Sequence, residues 1–167
     1  CQSLTNAMGK TSLEAVRKAV SLITKGYSEK VAEEVVKLED KTDNYEDKLG
    51  TYIVQLNEKN LSVDDSRETG RLLHCIGDFE RIGDHAKNIK EAAEEINEKG
   101  ITFSEQGKKE IDTISNAVCE ILEMAVSAFE KNDVELAKKI EPLEQVVDIL
   151  KVVLRNKHIE RLQKGVC

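Results

Sequence analysis

Apolar residues recur at steps of three and four along the whole chain, a spacing that belongs to amphipathic α-helices. The clearest stretch is Ile111, Ile114, Val118, Ile121, Leu122, Ala125, Ala128 and Phe129. One Pro and nine Gly in 167 residues give too little turn punctuation for a sandwich or barrel, and aromatics at 4% deny strands their usual side chains. The expected fold class is all-α. The length suits one domain or two small ones in tandem.

Four breaks divide the pattern: Gly26 before Ser28, Asn60-Leu61-Ser62, Gly100 before Thr102 and Glu105, and Asn132-Asp133 before Glu135. They predict five helices near 4–25, 28–58, 62–98, 104–130 and 133–164. Short loops make neighbours antiparallel, so the architecture is a long-helix bundle. Pro142 falls inside the fifth helix and predicts a kink near 138–142.

At an offset of 105 residues, Ala32–Asp43 (AEEVVKLEDKTD) lies over Ala137–Asp148 (AKKIEPLEQVVD), and both carry Leu-Glu-x-x-x-Asp. Helices 1 and 2 then correspond to 4 and 5. The reading is a duplicated three-helix repeat, residues 1–100 and 101–167, with its sixth helix missing. A start at Cys1 and an end at Gly165-Val166-Cys167 suggest a piece of something longer. On helix 5, Ile140, Leu143, Val146, Val147, Ile149, Leu150, Val153 and Leu154 cover about half the circumference, more than helix 4 alone can bury. A homodimer that covers the remainder is expected.

Charge narrows the partners. With 25 basic and 32 acidic residues the net charge is −7, and no Lys/Arg cluster stands clear of acids, which argues against nucleic acid. Unbroken apolar runs reach about three residues where a span needs ~20. No secretory leader pattern precedes the helices, so an intracellular setting is expected. Cys1, Cys75, Cys119 and Cys167 are too scattered for a metal knuckle and are expected to be reduced, small apolar side chains.

The chemistry gathers in Gly77-Asp78-Phe79-Glu80-Arg81-Ile82-Gly83-Asp84-His85-Ala86. Glu80 and Asp84, four apart, share a helix face beside the apolar stripe Leu72, Ile76, Phe79, Ala86 and Ala93. Glu39 and Asp43 stand in the same relation to the stripe Val31, Val35, Leu38, Tyr45, Leu49 and Tyr52 of helix 2. Counting from Asn60, Glu39 lies 21 residues before the turn and Glu80 lies 20 after it. That places the two glutamates level, with Asp43 and Asp84 one turn to either side. Converging carboxylates repel unless protons or a cation join them, and all-oxygen ligation suits Mg²⁺, Mn²⁺, Ca²⁺ or iron. Such acids are also commonly solvated rim residues, and Arg81 and Lys48 are at hand to pair with them.

At these residues the sequence resembles the PhoU family. The match rests on Leu-Glu-x-x-x-Asp in helix 2 and on Phe79-Glu80-Arg81-Ile82-Gly83-Asp84-His85-Ala86-x-Asn88-Ile89 in helix 3. It looks most like the cytoplasmic C-terminal PhoU-like domain of bacterial sodium/phosphate cotransporter-type proteins. Tyr45-Glu46-Asp47-Lys48-Leu49, Ser66…Leu72-Leu73-His74 and His158–Gln163 carry that narrower likeness.

The resemblance implies paired three-helix bundles, metal clusters held by acidic motifs, and control of phosphate uptake and homeostasis in place of catalysis. Its metal ligands fall on Glu39, Asp43, Glu80, Asp84, Glu144 and Asp148, with Asp78, Arg81 and His85 as orienting groups. It implies a divalent metal or iron, phosphate bound through that metal, and attachment to a membrane transporter on the cytoplasmic side.

A metal-free helical module docking on a transporter or sensor kinase is the competing class. A di-iron oxidase needs Glu three residues before His, where Arg71, Ile82 and Arg155 stand instead. No GxSxG marks a nucleophile. His74 and His158 read as rim histidines, and Tyr45 and Tyr52 as core.

Overall fold

The computed structural model describes residues 1–57 and 61–165, and all its regular elements are helices. They are α1 (Gln2–Thr24), α2 (Glu29–Asn57), α3 (Val63–Glu98), α4 (Glu105–Lys131), α5 (Val134–Ala137) and α6 (Ile140–Gln163). The proposed turn residue Asn60 and Cys167 lie outside the described residues.

Local chemistry sets the ends. The Ser62 hydroxyl accepts the Asp65 amide at 3.1 Å, opening α3 as the sequence predicts. At α4 the cap is Ser104, accepting from the Gly107 amide, and not Thr102. Asn132 closes α4 in the left-handed conformation at φ 51°, and Asp133 caps α5 through the Leu136 amide. The predicted fifth helix is two: Lys138 and Lys139 separate α5 from α6. Pro142 thereby sits in the first turn of α6, where its missing N–H breaks no helical bond and produces no mid-helix kink.

Helix α1 is central, packing against α2, α3 and α4, while α5 and α6 pack on α4. Its inward residues are mostly small: Thr5, Gly9, Ser12, Ala15 and Ala19. The Phe79 ring of α3 lies over Gly9, where an added Cβ would stand 2.8 Å from Cζ. Phe129 of α4 closes the other side, edge-on at 5.3 Å. The Ser12 hydroxyl donates to the Phe79 carbonyl at 2.8 Å, tying α1 to α3 at the same level.

Two apolar clusters result. Met8, Leu49, Ile53, Ile76 and Phe79 form one, and Ala15, Val16, Leu22, Val35 and Ala86 the other. Between them along α2 and α3 run buried Glu39, Thr42 and Gly83. The predicted α3 stripe is buried throughout. On α2, Tyr52 is 50% exposed, and Ile53, a four-residue step from Leu49, takes the core position expected of it. Cys75 and Cys119 are free, half-buried and packed on the core, where burial pushes both thiols up.

On α6, Leu143, Val147, Leu150 and Leu154 are partly buried. Val146, Ile149, Val152, Val153, Ile159 and Leu162 remain exposed, Ile149 at 66%.

Gly9→Ala provides a test of the Phe79 seat. Alanine normally adds about 1 kcal/mol over glycine inside a helix. Here the clash should reverse the sign and cost about 1–3 kcal/mol, read as a lower thermal midpoint by circular dichroism.

Candidate metal centre

Both helices of the centre carry polar residues at i, i+4 and i+7, one continuous face. On α2 these are Glu39, Asp43 and Glu46, and on α3 they are Glu80, Asp84 and Lys87. The helices approach closely because Gly83 faces Thr42: a Cβ on Gly83 would already touch the Thr42 Cβ and Cγ2 at 3.4 Å.

Glu39 is the innermost member, 3% exposed. Its Oε1 accepts from the Lys87 ammonium at 2.6 Å, while its buried Oε2 has no hydrogen-bond partner. A buried carboxylate satisfied on one oxygen is held at a cost unless further positive charge reaches it. Carboxylate oxygens of Glu39, Asp43 and Asp84 lie within 4.8 Å of one another. A hard cation bonded to oxygen at roughly 2.0–2.6 Å spans such a separation. Orphaned oxygen, spacing and all-oxygen chemistry together fit a divalent cation or iron.

Glu80 completes the face, beside Asp84 and within the field of Glu46. Loss of hydration pushes the Glu80 carboxyl above its ordinary range, and the charges of Asp84 and Glu46 push the same way. Asp43 is raised likewise, first by desolvation and then by Glu39 and Asp84, with Lys87 opposing. Lys87 is raised in turn by its hydrogen bond to Glu39.

The predicted heights need correction. Glu39 faces Lys87, seven residues beyond Glu80, and Asp43 meets Asp84 directly. Counting from a loop assumes a symmetrical hairpin, whereas core contacts such as Gly83 on Thr42 set the register. The cation on the cluster is Lys87, and not Arg81 or Lys48. Lys87 and Glu46 were missed, although the i+7 spacing from Glu80 and Glu39 marks them.

Asp78, Arg81 and His85 are exposed. At 100° per residue Asp78 and His85 stand roughly 140–160° round α3 from Glu80. Glu144 and Asp148 are exposed on α6, Asp148 paired with Lys151 at 2.7 Å. The one acidic group that brings three ligand atoms together among the described residues does not include them.

A profile of the PhoU domain matches residues 5–93 and 111–166. "Phosphate-specific transport system accessory protein PhoU homolog 1" of Thermotoga maritima is 30% identical over 94 residues, which is 56% of this chain and 40% of that protein. "Putative inorganic phosphate export protein YjbB" of Salmonella typhimurium is 25% identical over 117 residues, 68% of this chain and 21% of that protein. The chain thus matches well under half the length of either relative. In fold it is similar to the crystal structure of PhoU from Pseudomonas aeruginosa, with a TM-score of 0.87 at 24% identity, covering 98% of this chain and 78% of that one.

The raised carboxyls give a pH test. Because the folded pKa of Glu80 lies above the unfolded one, the folded form holds more protons between them, and stability falls as pH rises through that window. Glu80→Gln should therefore raise the thermal midpoint of metal-free protein by roughly 2 °C at pH 7. The gain should vanish below about pH 4, where the side chain is protonated in both states.

Proposed function

The chain belongs to the PhoU family, and from that membership and its acidic centre we propose a metal-binding regulatory domain acting in phosphate transport and homeostasis. The observation that carries the reading is Glu39, buried with one oxygen unpartnered beside two further carboxylates. Glu39, Asp43, Glu80 and Asp84 hold a divalent cation or iron. A cation so bound supplies positive charge with coordination positions open to an anion such as phosphate. Glu144 and Asp148 act as ligands only where matching acids reach them from a further helix.

The setting we propose is the cytoplasmic face of a membrane transporter of the sodium/phosphate cotransporter type. The match to part of a longer protein named for phosphate export supports this. No helix among the described residues is long and apolar enough to cross a membrane, so attachment runs through a transporter portion outside them. The role is regulatory and not catalytic.

Elemental analysis of purified protein beside a Glu39→Ala/Asp84→Ala variant tests the centre. Stoichiometric metal in the wild type and its loss in the variant are expected. Equal, negligible metal in both, with no thermal shift on adding Mn²⁺ or Fe²⁺, would leave a metal-free docking module.

The exposed stripe of α6 belongs, in this reading, to the interface of a homodimer. Light scattering at micromolar concentration should report a dimer, and Ile149→Glu should shift it toward monomer.

A further inference from the structure

Lys87 is unlike the other cations paired with acids in this protein. Lys10–Glu130 and Arg17–Glu123 join partners that both face solvent, so neither pair holds a buried charge. Arg161–Glu110 joins two inaccessible partners, 15% and 8% exposed, and locks α6 to α4. Among the described residues, Lys87 alone couples a releasable cation to a fixed acid: its side chain is 42% exposed, whereas Glu39 is 3% exposed. Its flexible stem can carry the ammonium out into water, and the carboxylate cannot follow. The ammonium occupies one oxygen of the same carboxylate whose other oxygen is unpartnered. A metal ion on Glu39 and an ammonium on Glu39 are therefore like charges on one small anion.

From this geometry we infer that Lys87 is an internal competitor for the cation site, compensating Glu39 in the metal-free protein and leaving it when a divalent cation arrives. The inference rests on the reading of this cluster as a metal centre. It adds that affinity is set by the difference between two compensations, so Lys87 weakens cation binding by a constant factor and keeps Glu39 from standing buried without a counter-charge. Asp43 and Asp84 add the charge that lets a divalent ion outcompete a monovalent one.

The experiment is calorimetric titration with Mn²⁺ of the wild type, K87M, K87R and Glu39→Gln, each checked for helicity, with melting curves in chelator and at saturation. K87M keeps the stem and removes the charge. It should bind Mn²⁺ at least about tenfold more tightly than the wild type. It should also melt lower than the wild type in chelator and no lower when saturated. K87R retains the charge and should bind no more tightly than the wild type. Wild-type binding that Glu39→Gln abolishes, with K87M no tighter, would overturn the competitor and leave the metal centre standing. Absence of Mn²⁺ binding in both wild type and K87M would remove the metal centre and the competitor together. Should K87M not fold, tighter binding by K87R would by itself overturn the inference.

Discussion

The seating of Phe79 on Gly9 is the contact from which the remaining geometry follows. A large ring on α3 finds room only because α1 presents no side chain there, and Phe129 of α4 closes the cage. The Ser12 hydroxyl adds a directional bond to the Phe79 carbonyl, so the two helices are fixed in rotation as well as distance. Glu80 follows Phe79 in the chain, and its outward direction is a consequence of where that ring is held. Apolar packing thus aims the acids.

The second constraint is the narrow crossing of α2 and α3 at Thr42 and Gly83. It sets which residues face one another, and it separates the apolar interior into two clusters with a polar layer between. Buried Glu39 belongs to that layer. Apolar side chains of similar volume would commonly serve stability as well or better, so a buried carboxylate with one free oxygen is poorly explained by stability alone.

Much of this was legible in the amino-acid order because helical periodicity is local. Leu72, Ile76, Phe79, Ala86 and Ala93 are buried as their spacing requires, and four acids share one side of the α2–α3 hairpin. Register was not legible. It depends on a glycine on one helix meeting a threonine on another, and no count from a loop contains that information. The same gap hid the partner of Lys87, whose pairing with Glu39 spans 48 positions. Tyr52 was misread because a step of four replaced a step of three, while the interruption expected near 138–142 falls at Lys138-Lys139, leaving Pro142 in the first turn of α6.

The polar layer also decides how the two apolar clusters communicate. Ile82 packs against both, next to Gly83 and within one turn of Glu80 and Asp84. Glu39 therefore sits between the two clusters, next to the contact of Gly83 with Thr42. Because α3 runs unbroken for 36 residues through that layer, both apolar clusters and the acids between them hang on one continuous backbone.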